Sequence, residues 1–197
     1  MLKKILNNYR LVLASNSPRR QQLLKGLDLE FEVITFPDVD ETFPSHLKGS
    51  DIATYLSQQK AKAYSKLLDK NTLVITADTI VWLENNVLNK PKDSAEAIQM
   101  LKTLSGQMHT VFTGVSITSL DDQFTFFAET KVWFRKLNDK DIEYYVENYK
   151  PFDKAGAYGA QEWIGYVAIE KIEGSYFNVM GLPVQKLYSE LERFLLN

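Results

Sequence analysis

Two arginines stand where the local field is already positive. In LVLASNSPRRQQLLKGL, residues 11–27, Ser17 has the chemistry of a helix N-cap and Pro18 suits a first helical position, so a helix is predicted to begin at Pro18. Arg19 and Arg20 then fall in the first turn, beside unsatisfied backbone N–H groups. An anion seated there would turn repulsion into binding, held by those N–H groups, the Ser15 and Ser17 hydroxyls and the guanidinium forks. A phosphate chain fits that description. The alternative is that both arginines reach solvent or pair with surface acids.

Phosphate chemistry calls for countercharge and a base, and further residues could supply them. Asp38, Asp40 and Glu41 crowd into PDVDET, the densest local supply of carboxylates for a hard divalent cation, unless solvent exposure alone explains them. Lys60, in QKAKA, falls on the inward stripe of a predicted helix, where it either snorkels or aims a point charge at phosphate. Asp78 follows the apolar run Leu73–Ala77, a place for a carboxylate to bind a cation, take a proton from water, or simply cap a turn. Lys90 precedes Pro91, so its backbone is extended and its side chain can reach back over the sheet end. In PFDKAGAYGAQ, residues 151–161, Gly156 and Gly159 serve either close backbone approach or ordinary turns. Gln161 offers both a donor and acceptors, as reading a base edge requires. His109 reads as structural.

The elements that must position these groups follow from periodicity and turn chemistry. Strands are predicted at Leu11–Leu13, Phe31–Phe36, Leu73–Ala77 and Val167–Ile172, with a hairpin pairing Ile80–Leu83 to Val87–Leu88. His109–Thr118 and Gln123–Arg135 read as an antiparallel pair. A helix from Ser50 to about Leu68, capped by Ser50, turns Ile52, Leu56, Ala63 and Leu67 inward; others run from Asp93 to Leu104, from Asn138 to about Tyr149 and from Val184 to Leu195. Gly174–Pro183 reads as a loop.

A chain of 197 residues with 45% hydrophobic content suits one domain over residues 1–197, or one core with two lobes. A net charge of −2 argues against a general nucleic-acid surface, so any phosphate site is local and stable nucleic-acid binding is not expected. The absence of cysteine excludes disulfides, thiolate metal sites and a cysteine nucleophile. Two histidines are too few for a histidine-rich metal site. No apolar run approaches the ~20 residues of a membrane span, and a cytoplasmic location without membrane association is the expectation.

Taken in order, SNSPRR, DVDE, QKAKA, ADTIV, NKP, LSG, FDKAGAYGAQ and GSYFNVMGLP resemble the Maf family of nucleoside triphosphate pyrophosphatases over nearly the whole chain. The resemblance implies a two-lobed α/β fold, a mixed, twisted sheet flanked by helices similar to inosine triphosphate pyrophosphatases, with a central nucleotide cleft. It implies hydrolysis between the α and β phosphates to a monophosphate and pyrophosphate, aided by Mg²⁺ or Mn²⁺. Asp78 takes the place of the proton acceptor, Glu41 with Asp78 that of the acidic metal site, and Lys60 and Lys90 those of phosphate-contacting lysines, while Ser15 and Arg20 fall in the phosphate-binding turn. Arg19, Thr79 and Gln161 resemble the dTTP and UTP branch; a sister branch favouring 7-methyl-GTP typically carries an aromatic residue, a glutamine and a glutamate there. A house-cleaning role against modified pyrimidine nucleotides follows, with nucleotide-binding regulation of septum formation without turnover as the alternative and a homodimer as an open possibility.

Overall fold

The computed structural model describes residues 2–36 and 39–196. Pro37 and Asp38, the latter one of the candidate acids, lie outside the described residues. In chain order the elements are α1 (Leu2–Leu6), β1 (Arg10–Leu13), α2 (Pro18–Lys25), β2 (Glu32–Val33), α3 (Ser50–Ala63), β3 (Thr72–Leu83), β4 (Asn86–Leu88), α4 (Ser94–Leu104), β5 (Met108–Thr118), β6 (Gln123–Phe134), α5 (Asp139–Tyr149), α6 (Trp163–Ala168), β7 (Ile169–Glu173), α7 (Tyr176–Met180) and α8 (Val184–Leu196). Single 3₁₀ turns lie at Ser65–Leu67 and Ala155–Ala157. The described strands form a seven-stranded sheet in the order β2-β1-β3-β5-β6-β7, with β4 paired to β3. Its directions are mixed: β1 runs parallel to β2 and β3, whereas β3–β4 and β6–β7 are antiparallel. A mixed sheet of this kind flanked by helices is the expected α/β class, and its strands carry the usual right-handed twist.

Two compact units emerge. The first comprises Met1–Asp78, Thr113–Ala128 and Gly181–Asn197. Its centre is the parallel pair of β1 and β3, with Leu13 opposite Ile75, and Val12, Leu13, Val74 and Ile75 fully buried. Continuous burial of β-branched and leucine side chains is what a strand covered on both faces requires. The amphipathic α8 buries Val184, Leu187 and Leu191 at helical spacing, and α1 packs on it through Leu2 and Leu6. Helix α3 lies so close to the sheet that a methyl at Gly114 would stand 2.2 Å from the Ala53 carbonyl oxygen. The polar side chains beneath it are satisfied: Ser57 meets Ser116, Ser116 meets Thr125, and Thr76 donates to the Ser57 carbonyl.

The second unit comprises Thr79–Phe112 and Glu129–Met180. Helices α4 and α5 pack together over a core that includes Leu101, Leu104, Val132, Phe134, Ile142 and Tyr145. Both start as expected, the Asp93 carboxylate accepting from Glu96 N–H at 2.9 Å and the Asn138 side chain accepting from Asp141 N–H at 2.8 Å. The hairpin turn is Glu84-Asn85, both left-handed at φ 47° and 66°, which matches the twist of its flanking strands. Gly165, inside α6, faces the preceding turn without clearance, since a methyl there would lie 1.9 Å from the Ala160 carbonyl oxygen.

His109 is structural, as expected. It is 1% exposed, packed edge-on against Phe134 and Tyr158, and its Nε2 lies 2.7 Å from the Tyr158 hydroxyl. Among the described residues its Nδ1 has no hydrogen-bond partner, so a charged ring would be poorly stabilised there. Burial pulls its pKa down to about 3. The unfolded chain therefore takes up a proton, as pH falls below about 6.5, that the folded chain refuses, and stability declines from there toward pH 3. Between pH 7 and pH 5 this single group is expected to remove about 2 kcal/mol. Urea unfolding of wild type and His109→Gln at both pH values checks it, because the variant should lack that part of the slope.

Several boundaries differ from expectation for identifiable reasons. The strand expected at Phe31–Phe36 shrinks to Glu32–Val33, since only those residues register with Val12 and Leu13. Gly49, not Ser50, occupies the N-cap of α3, and the helix stops at Ala63 because Tyr64 leaves helical geometry before the 3₁₀ turn. Ala63 is consequently exposed, not inward. The strand expected at Val167–Ile172 starts later, at Ile169, because residues from Trp163 to Ala168 wind into α6, with Glu162 O accepting from Gly165 N–H. Within the expected loop Gly174–Pro183, Tyr176–Met180 form the short helix α7.

Candidate functional site

The SNSPRR turn folds as its chemistry dictates. Ser17 caps α2, its side chain accepting from Arg20 N–H at 3.4 Å, and Pro18 opens the helix. Ser15 is buried, and its hydroxyl accepts from Ser17 N–H at 3.2 Å while its carbonyl accepts from the Gln21 side chain. The turn is thereby fixed before any ligand arrives. Arg19 is half-buried in the first turn of α2.

Arg20 is more deeply engaged than the sequence suggested. Its Nε donates to Gly181 O and one terminal nitrogen to Ala77 O, both at 2.8 Å. The guanidinium thus ties the start of α2 to the residue preceding Asp78 and to the turn before α8. Burial lowers its pKa; Asp78 raises it, Arg19 lowers it further and Glu41 raises it. The two acids act as its counter-ions, and Arg20 remains a cation.

Asp78 was expected just past the end of a short strand. Instead β3 runs through it without interruption from Thr72 to Leu83. The flanking Thr76, Thr79, Ile80 and Val81 are β-branched and favour extended backbone, and a paired acid is no obstacle to it. The parallel partner β1 ends at Leu13, opposite Ile75, so Asp78 still lies beyond the carboxyl end of that pair. There its carboxylate meets Lys60, whose Nζ lies 2.5 Å from Asp78 Oδ1 and 2.8 Å from Glu41 Oε1. Lys60 and Asp78 side chains are only 15% and 11% exposed, whereas Glu41, on the loop before α3, is 50% exposed. One ammonium therefore gathers the proposed base and the proposed metal-site acid, with Arg20 electrostatically coupled to both.

Asp40 takes no part in this cluster; its carboxylate accepts from the Thr42 backbone and hydroxyl, which holds its pKa below the usual range. A cleft of about 350 Å³ opens beside the same loop, lined by Phe36, Asp40, Tyr55 and Gln59 among others.

Three sequence-selected residues belong to the second unit. Thr79 continues β3. Lys90 is exposed in the extended segment after β4, as its position before Pro91 required. Gln161 sits at the third position of a turn closed by Glu162 N–H donating to Gly159 O at 3.0 Å. The preceding Gly156 is left-handed at φ 69° and lies against Val81, where a methyl would come within 3.1 Å of its side chain.

Sequence reasoning missed the groups that anchor this turn. The Tyr145 hydroxyl accepts from Gly159 N–H at 3.1 Å and donates to Glu162 Oε2, while Lys154 Nζ lies 3.0 Å from Glu162 Oε1. The available signal was Tyr145 on the inward face of α5, because a buried phenol needs a polar partner.

A family model described as Maf-like protein matches residues 10–194. Among curated relatives, a dTTP/UTP pyrophosphatase of Bacteroides thetaiotaomicron is 51% identical over 188 residues, covering 95% of this chain and 97% of the relative. One of Flavobacterium johnsoniae is 50% identical over 192 residues, covering 97% and 98%. A solved structure of a HAM1 protein from Coxiella burnetii superposes with a TM-score of 0.49 at 16% identity, covering 94% of this chain and 99% of that one. With a family model spanning almost its full length and relatives identical at half their positions, the chain belongs to the Maf-like protein family.

Proposed function

We propose that this protein hydrolyses dTTP and UTP between the α and β phosphates, yielding the nucleoside monophosphate and pyrophosphate. The observation that carries the reading is the convergence of Asp78 and Glu41 on the Lys60 ammonium, coupled to Arg20 at the end of β1. The names of the relatives supply the substrate pair.

Without substrate, Lys60 is the counter-ion of Asp78. An incoming triphosphate offers the ammonium a stronger anionic partner, and as Lys60 turns to it the Asp78 carboxylate becomes available to accept a proton from water. Arg20, its guanidinium fixed by the Gly181 and Ala77 carbonyls, holds its charge in place throughout, stabilising negative charge on the phosphates without reorganising. Ser15, the α2 N-terminus and Lys90 are assigned to the remaining phosphate oxygens; Arg19, Thr79 and Gln161 to base selection.

The donor set suits a divalent cation. Two carboxylate oxygens already converge on one cationic atom, Lys60 Nζ, and carboxylates are hard donors appropriate to Mg²⁺ or Mn²⁺. Among the described residues no cluster of three His, Asp or Glu side chains forms, so Glu41 and Asp78 would share the ion with phosphate oxygens and water. Its contribution when bound is neutralisation of polyphosphate charge.

A panel of canonical and modified nucleotides, assayed with Mg²⁺ or Mn²⁺, tests the proposal. Pyrophosphate with UMP and dTMP is the expected product; nucleotide-induced thermal stabilisation without pyrophosphate would replace hydrolysis by regulatory binding. No helix among the described residues is long and apolar enough to cross a membrane.

A further inference from the structure

The turn Gly159–Glu162 is closed twice. Its backbone bond from Glu162 N–H to Gly159 O is an ordinary turn contact. The second closure is unusual: the single hydroxyl of Tyr145 accepts from Gly159 N–H at one end of the turn and donates to the Glu162 carboxylate at the other. Tyr145 is fully buried on α5 and stacks on Tyr149, so the hydroxyl is a fixed point. Lys154, 8% exposed, grips the other carboxylate oxygen. Glu162 occupies the N-cap position of α6, yet its side chain caps nothing there. Its carboxylate is given instead to Tyr145 and Lys154.

The space around Gly159 places the Gln161 carboxamide beside this closure. A methyl on Gly159 would stand 3.0 Å from Gln161 Nε2, 3.0 Å from Glu162 Oε2 and 2.9 Å from Glu162 Cδ. The Gln161 carboxamide and the Glu162 carboxylate therefore fold over the same bare backbone position. A carboxamide reads one base edge against another only if its donor and acceptor ends are held in a fixed orientation.

We propose that Glu162, clamped between Tyr145 and Lys154, is the positioning residue that orients Gln161 for base selection. The inference rests on the proposed pyrophosphatase reading, in which Gln161 selects the base. Glu162 touches neither phosphate nor reacting atoms in this scheme; it acts through the turn. Uracil and thymine present an imide N–H between two carbonyls, whereas cytosine presents an amino group and an unprotonated ring nitrogen. A loosely held carboxamide can rotate to suit either.

The test is a comparison of UTP with CTP for wild type, Glu162→Gln, Tyr145→Phe and Gln161→Ala, together with Glu162→Gln in the Gln161→Ala background. Thermal melting verifies folding, and binding of a non-hydrolysable α,β-imido UTP gives a readout independent of turnover. Glu162→Gln and Tyr145→Phe, which break the clamp from opposite sides, are each expected to lower the UTP over CTP preference about tenfold through KM, with kcat little changed. Weakened binding of the analogue should accompany this. In the Gln161→Ala background the Glu162→Gln effect should vanish, since nothing remains to orient. An unchanged preference in both single variants, or an effect of full size in the Gln161→Ala background, overturns the inference. Failure of wild type to release pyrophosphate from UTP or dTTP is a different result and removes the underlying reading instead.

Discussion

Asp78→Asn is expected to lower kcat for pyrophosphate release by about 10³-fold while leaving KM and the melting temperature close to wild type. The amide keeps the shape of the carboxylate but cannot accept a proton at neutral pH, and it loses the charge that meets Lys60 Nζ at 2.5 Å. Because Asp78 sits within the continuous strand β3, its backbone does not depend on its own side chain for structure. The substitution should thus separate chemistry from folding. Glu41→Gln is expected to fall between the variant and wild type, since Glu41 is the more exposed of the two acids and lies on a loop. Steady-state kinetics with UTP, paired with thermal melting, measures both. Full turnover in Asp78→Asn would remove Asp78 from its proposed role as proton acceptor.

Arg20→Met is expected to damage folding and activity together. Its guanidinium donates to two backbone carbonyls, Ala77 O and Gly181 O, that are 57 and 161 positions away in the chain. Methionine fills much of the volume yet leaves both acceptors without that donor and removes a counter-charge of Asp78 and Glu41. A loss of about 3 kcal/mol in urea unfolding is the expected scale for hydrogen bonds from a charged group. Activity should fall by more than that destabilisation explains, because the proposed mechanism also sets this cation against the phosphates. Arg20→Lys should recover only part of either loss: an ammonium on a single stem cannot span two carbonyls as a planar fork does. A variant as stable as wild type would show that this tie is dispensable.

The contrast between these two residues shows which parts of the molecule are written locally. Ser17 and Pro18 announce the start of α2, and Asp93 and Asn138 the starts of α4 and α5, because a cap and its partner lie within three residues of one another. Asp78, Lys60 and Glu41 were legible as charged groups in unexpected places, although the strand through Asp78 was read as ending there. The eye stops at an acid after an apolar run, whereas strand pairing and the β-branched residues around it carry the extended backbone through Asp78. Arg20 read as a phosphate ligand or as a surface cation, not as a structural tie. Its carbonyl partners carry no side-chain signature, so nothing in the sequence distinguishes them from other backbone oxygens. Tyr145 and Glu162 met the same limit: each could be placed on its element, but their pairing arises from how α5 and the turn before α6 come together. The expected strand at Val167–Ile172 erred in another way, since the glycine and aromatics of WIGYVA carry little helical preference and wind into α6 through close packing.

That packing constrains how this lineage can change its tastes. With the Ala160 carbonyl oxygen only 1.9 Å from where a methyl at Gly165 would stand, the main chain between the two has no slack to remodel. In the proposed scheme, a change of base preference would come from exchanged functional groups at Gln161 and its supports, Glu162 and Tyr145, on an unaltered backbone. Evolution here resembles changing the bit in a fixed socket more than bending the tool.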